Sequence, residues 1–191
     1  MAVATTSKKQ NIINIAAGLF RKNGYKATSI RDLAAAVGIE PSSIYSHVSS
    51  KEEILAEICL DSARRFSEGM DKTEKTFKSP ADKLHALIQL HLEIAYVFPG
   101  SIVVFNGEWK HLPDDRLKEF ITSRKNYETR FKSILEAGKN QGVFTFDNAE
   151  IVFNIIIQSL TWPYEVSRKY GKAALQSELT NFIMRSLNKN P

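Results

Sequence analysis

Apolar residues recur along the chain at three- and four-residue intervals, and strict alternation of apolar with polar positions is essentially absent, so the pattern predicts helices and no sheet. The first set is Ile12, Ile13, Ala16, Ala17, Leu19 and Phe20, on one helical face; Ser7 followed by Gln10 reads as a capping box before it, and Asn23-Gly24 ends it. Thr28 or Ser29 can cap a second, short helix through Ile30, Leu33, Ala34 and Val37, which Gly38 closes where a left-handed residue is commonly needed. Only Ile39 and Glu40 separate that glycine from Pro41, which suits the first turn of a third helix through Ile44, Tyr45 and Val48. A short helix, a tight glycine turn and another short helix make a helix-turn-helix arrangement.

Longer helices follow. Ser50 with Glu53 forms another capping box, opening a helix from Lys51 to about Thr76 whose first turn is acidic and so favourable to its dipole. Ser79-Pro80 starts one that reaches Phe98 before Pro99-Gly100, a shorter segment covers Ile102 to Lys110, and Pro113-Asp114-Asp115 opens one reaching Gly142. Asp147 is the expected cap of a helix through Ile151, Ile155 and Leu160 that runs to Lys169 with a kink at Trp162-Pro163, and the last helix spans Lys172 to about Leu187. The expected fold is all-α with about nine helices: a three-helix N-terminal domain over residues 1–50 and a larger helical domain over residues 51–191.

Composition sharpens this in one respect. The 191 residues are 43% apolar and 25% charged, as in a globular protein, with a net charge of +5. Residues 1–50 hold six basic and two acidic groups, and the other 141 hold 20 and 19, so the excess sits in the first quarter. A local basic excess is the footprint of a phosphate-binding surface, and also that of an ordinary solvated face. The single cysteine, Cys59, forms no internal disulfide, and the N-terminus lacks the apolar stretch of a signal peptide, which together favour a cytoplasmic setting. The most apolar stretches are interrupted and short of a membrane span, so no membrane partner is expected.

The stretch Thr28-Ser-Ile-Arg-Asp-Leu-Ala-Ala-Ala-Val-Gly-Ile-Glu-Pro-Ser-Ser-Ile-Tyr-Ser-His-Val-Ser-Ser-Lys-Glu-Glu-Ile-Leu55 resembles the DNA-binding region of the tetracycline-repressor (TetR) family of transcriptional regulators. Tyr45-x-His47 followed by Ser50-Lys51-Glu52 is its most specific part, and the likeness covers roughly residues 8 to 55. Glu40, Ser42 and Val48 depart from residues common in the family, which bears on the operator sequence and not on the activity. In a helix-turn-helix the second helix enters the major groove, its N-terminal residues nearest the base edges. Pro41, Ser42, Ser43 and Ser46 are therefore candidate reading positions, and Arg31 is the candidate for a bidentate contact to guanine. Thr28, Tyr45, His47 and Lys51 are the candidate phosphate clamp. Taken singly these residues also read as surface and packing positions, and Arg31 as a partner of Asp32 or Glu40; the joint spacing favours the DNA reading.

The remaining 141 residues hold 16 of the 19 aromatics. The resemblance implies that this part binds a small effector and forms a homodimer. Candidate effector-lining residues are Tyr96, Phe105, Trp109, Phe120, Tyr127, Phe131 and Trp162, although aromatics at helical spacing are also ordinary core. The resemblance places dimerisation on the last two long helices, where Ile151, Ile155, Leu160, Leu175, Leu179, Phe182 and Ile183 supply apolar faces. The segment Gly107 to Leu117 and the helix ending near Phe144 are similar to regulators of lipid degradation that respond to acyl-coenzyme A thioesters, with Lys110, His111, Arg116 and Arg124 as candidate charges for the carrier or as solvated residues. The expected function is a ligand-responsive regulator, most simply a repressor, that binds a palindromic double-stranded operator and is released by a lipophilic effector.

Other classes find little support. Glu108-x-x-His111 has the spacing of a di-iron ligand pair, but no second such pair occurs, and His85 and His91 are not one helical turn apart. Neither a phosphate-binding glycine loop nor a nucleophile elbow is present. An enzyme is not expected, nor a cofactor or metal; a helical scaffold without DNA binding leaves the motif of residues 28–55 unexplained.

Overall fold

Several helix starts carry their own local cause. The computed structural model describes residues 7–162 and 169–188, and among these it has nine α-helices. Ser7 caps α1 (Lys8–Asn23) by accepting the Gln10 N–H; the Gln10 side chain turns to Asn14 instead of closing the box. Ser29, and not Thr28, caps α2 (Ile30–Val37) in a full capping box with Asp32, and Gly38 ends it at φ 78°. That is the left-handed region, where a side chain would cost about 1–2 kcal/mol. Helix α3 (Pro41–Ile44) is a single turn, shorter than its apolar spacing predicts, and residues 45–47 continue as turns.

Helix α4 (Lys51–Thr76) begins with a displaced box: Ser50 Oγ accepts the Glu53 N–H, while the Glu53 carboxylate takes the N–H and hydroxyl of Ser49. These Ser49 bonds, joined by Lys9, hold the Glu53 carboxyl down at about 2. The chain continues through α5 (Pro80–Val97), α6 (Pro99–Gly107), a 3-10 turn at Trp109–His111, α7 (Asp114–Asn140), α8 (Ala149–Ser159) and α9 (Lys172–Leu187). Asn148 caps α8, not Asp147, and α8 ends at Ser159; the expected Pro163 kink lies outside the described residues, and Lys169, the expected end, is helical. No single helix among the described residues is long and apolar enough to cross a membrane.

Two compact units result. One takes the chain up to Ala63 together with Phe98–Ile121, the other Arg64–Val97 together with the chain from Thr122 on. The first unit's core gathers Ile12, Ala16 and Phe20 of α1, Leu33 of α2, Ile44 of α3, Ile54, Leu55 and Ile58 of α4, Val104 and Phe120. Burial pushes the Cys59 thiol in this core up to about 12, so it is chemically inert. Helices α1 and α6 touch backbone to backbone: a Cβ on Gly100 would stand 3.0 Å from the carbonyl of Ala17. Since the neighbour is helix backbone, it cannot yield without moving a whole helix. Gly100→Ala is expected to cost about 1–3 kcal/mol, read as a lower midpoint in chemical denaturation.

The second unit buries Met70, Leu84, Ile88, Phe131, Leu135, Phe144, Phe153 and Ile156 around α5. Arg130 of α7 forks onto Glu74 and reaches Asp71 at 2.7 Å. The apolar residues assigned to the dimer face divide here. Leu160, Leu175, Leu179 and Ile183 are buried in the unit's own core, whereas Ile151 and Ile155 of α8 and Phe182 of α9 are 59%, 59% and 64% exposed.

Candidate nucleic-acid interface

The segment expected to read bases is held from below by apolar side chains and faces outward with polar ones. Ile44 and Val48 are buried, which turns Ser42, Ser43, Tyr45 and Ser46 to the surface, with Pro41 and His47 half-buried. The hydroxyls of Ser42 and Ser43 are available to base edges, while Ser46 Oγ donates to the Ser43 carbonyl at 2.8 Å. Tyr45 is 56% exposed. Arg31, in the first turn of α2, is exposed and has no ion-pair partner among the described residues; the Asp32 carboxylate is taken by Ser29. An unpaired planar guanidinium is able to meet a guanine edge with two hydrogen bonds.

Two members of the expected phosphate clamp face inward. Thr28 is 1% exposed and its hydroxyl donates to the Gly24 carbonyl at 2.9 Å, so its side chain shapes the turn and has nothing to offer a phosphate. Lys51 donates to the carbonyls of Tyr25 and Thr28 at 3.1 and 3.0 Å, and its ammonium stands 4.4 Å from the centre of the Tyr25 ring. An ammonium has three N–H groups, so one remains for an outside acceptor. Lys51 is thus first the tie of the turn that leads into α2.

The same turn is gripped by a residue that the sequence pattern does not single out for this role. Glu108, at the end of α6, accepts the Tyr25 N–H at 3.2 Å. The ring of His111 stacks on Tyr25 at 5.7 Å, and the Tyr25 hydroxyl donates to Glu52. Burial, and then the Glu52 charge, push the Tyr25 phenol upward, so it stays a neutral donor. Eighty-three residues separate Tyr25 from Glu108, and no local pattern reports such a pairing.

The seven aromatic candidates fall into both units. Phe105 and Trp109 pack against the fully buried Phe120 in the first, at 5.2 and 5.8 Å between ring centres, as parts of its core. Tyr96, Tyr127 and Phe131 belong to the second, and Trp162 is 42% exposed just beyond α8. Tyr127 and Phe131 join Phe66 and Phe153 in an aromatic cluster that also holds His91, whose Nε2 is 2.9 Å from the Tyr127 hydroxyl. Burial pushes the His91 imidazole down to about 3, so it is neutral at physiological pH. Among the expected carrier charges, Arg116 pairs with Glu119 at 3.2 Å, His111 lies on Tyr25 and Lys110 stands 5.9 Å from the Trp109 ring.

Comparison with known proteins agrees with this architecture along its length. Residues 12–58 match the family model described as bacterial regulatory proteins, tetR family, and residues 78–186 match the one described as tetracyclin repressor-like, C-terminal domain. The HTH-type transcriptional repressor KstR2 of Mycolicibacterium smegmatis is 29% identical over 158 residues, which is 82% of this chain and 77% of its own. The solved structure of the ketosteroid transcriptional regulator KstR2 of Mycobacterium tuberculosis superposes with a TM-score of 0.84 at 22% identity, over 99% of both chains. That of AibR in complex with isovaleryl coenzyme A and operator DNA gives 0.79 at 17% identity, covering 92% of this chain and 97% of its own. With its reading segment and its larger helical part both matched, the chain belongs to the TetR family and is a DNA-binding transcriptional regulator, not an enzyme.

Proposed function

We propose that the protein is a cytoplasmic, ligand-responsive repressor that binds a palindromic operator as a homodimer and leaves it when a lipophilic effector of the acyl-coenzyme A class binds. The observation that carries the DNA half is the outward row of Ser42, Ser43 and Tyr45 beside the unpaired Arg31. Residues 1–50 are assigned to DNA binding and 51–191 to effector binding and dimerisation. Arg31, Pro41, Ser42, Ser43 and Ser46 read bases; Tyr45, His47 and the remaining N–H of Lys51 meet phosphates. In a two-fold dimer the reading segments stand about 34–36 Å apart, one DNA turn.

The effector half rests on the aromatic cluster of the second unit, where Tyr96 and the His91–Tyr127 pair are polar groups among apolar side chains. A relative named for acting as a repressor and a fold neighbour solved with isovaleryl coenzyme A support this reading. A ligand that favours the conformation with misplaced reading heads lowers operator affinity by its preference between the two states. Two of the expected carrier charges, Arg116 and His111, are already engaged, so the effector is assigned mainly by its acyl part.

Arg31→Ala is expected to relax preference at one base pair of each half-site, costing about 1–3 kcal/mol there while leaving affinity for random DNA nearly unchanged. Selection from a randomised duplex pool reads this directly; an equal loss on operator and random DNA would remove the base-reading role. For the effector, thermal unfolding with a series of acyl-coenzyme A esters should show concentration-dependent stabilisation. Stabilisation by uncharged lipophiles alone would refute the acyl-coenzyme A assignment.

A further inference from the structure

The first unit carries two grooves of similar size and opposite chemistry. One, of about 410 Å³, is lined by Glu52, Glu53, Glu57 and Asp115, with Arg116 as the cation among its lining residues. The other, of about 480 Å³, runs along the reading segment and has no carboxylate in its lining. Its floor is apolar, from Ile12 of α1 and Val37 and Ile39 at the end of α2. Its rim is polar: Lys8 and Asn11 from the first turns of α1 face Ser43, Ser46 and His47.

Lys8 and Lys9 are neighbours with different tasks. Lys9 Nζ donates to Glu53 and to Glu57, each at 2.9 Å, and these carboxylates raise its pKa, so its charge is compensated inside the unit. Lys8 is exposed and has no ion-pair partner among the described residues, and the Asn11 carboxamide likewise has no hydrogen-bond partner there. With Lys8 and the Asn11 carboxamide uncommitted on its rim, an apolar floor and no acidic lining, the groove suits a sugar–phosphate strand.

We propose that this groove is a backbone clamp for operator DNA: one phosphate of the strand passing the reading segment is held between Lys8 and His47, assisted by Asn11, with its deoxyribose over the half-buried Val37 and Ile39. The clamp rests on the DNA-binding role of the first unit and goes beyond the helix-turn-helix, because it gives α1 a direct contact with DNA. Such a contact is independent of base sequence and fixes the register in which Ser42 and Ser43 meet the bases.

The test uses the full-length protein and a fluorescein-labelled mixed-sequence duplex, with affinity followed by anisotropy between about 50 and 200 mM salt. Lys8→Gln should weaken binding about 5- to 10-fold at the low end and reduce the salt slope by about 1, as for one lost phosphate contact. Lys8→Arg should keep the wild-type slope. Lys22→Gln, with the same charge change at the other end of α1, about 21 Å away, should leave the slope as it is, and so should Lys9→Gln. On a duplex carrying a selected operator site, ethylation interference should lose one phosphate per bound protomer in Lys8→Gln. An unchanged slope in Lys8→Gln, or an equal drop in Lys22→Gln, would overturn the clamp while leaving the DNA-binding role intact. Absence of binding by the wild-type protein would overturn both.

Discussion

Replacing Ile155 and Phe182 together by glutamate is expected to leave the fold intact, to yield monomers, and to weaken operator binding about 10²- to 10⁴-fold. Both side chains are large, apolar and mostly in water in the single chain, so neither substitution opens a cavity or buries a charge within it. In a two-fold interface each substitution appears twice, which puts four carboxylates into a surface that was apolar. The loss in DNA affinity then follows from lost bivalency. A dimer binds its second half-site intramolecularly, at an effective concentration in the millimolar range, whereas a monomer must pay for each half-site separately. Sedimentation velocity with a parallel operator titration reads both effects. A variant that stays dimeric would show that α8 and α9 do not form the interface.

Lys51→Met is expected to reduce binding to every DNA sequence and, unlike the loss of a surface phosphate contact, to lower stability by about 2–4 kcal/mol. The ammonium joins the carbonyls of Tyr25 and Thr28, and the methionine that replaces it leaves both without that donor. At this chain length that corresponds to a fall of about 5–15 °C in melting temperature. The turn that loosens leads into α2, so Arg31 loses its placement together with the proposed phosphate contact. If melting temperature held while affinity fell, Lys51 would be a phosphate ligand and no more.

These two expectations differ in how far each was legible in the sequence. Features set within a turn of the chain were plain: the Ser7 cap, the left-handed Gly38, Pro41 at a helix start, and the bounds of the helices Lys51–Thr76 and Lys172–Leu187. Competition between adjacent candidates was not, because Asp147 and Asn148 are both good caps and only the backbone decides which accepts the N–H groups of Glu150 and Ile151. The inward turn of Thr28 and Lys51 was hidden for another reason. The same residue types serve a phosphate and a backbone carbonyl, and the choice depends on the carbonyls of Gly24 and Tyr25 being within reach.

The aromatic residues show the limit most clearly. Phe120 and Phe131 both lie on α7 and are both fully buried, yet they belong to different units. Helical spacing reports that a face is apolar and says nothing about which core receives it. Likewise, the apolar faces of α8 and α9 are each wide enough for both a core and an interface, and only burial separates Leu179 and Ile183 from Phe182. Glu108, paired across 83 residues, left no periodic trace at all.

The most direct test of the whole account is a competition titration of the purified full-length protein against the duplex upstream of its own gene and a scrambled duplex of equal length, at physiological salt. Two chains are expected per bound site, with a preference for the upstream duplex of at least about 10³, the margin of specific over non-specific binding. Equal affinity for the two duplexes at every salt concentration would contradict it.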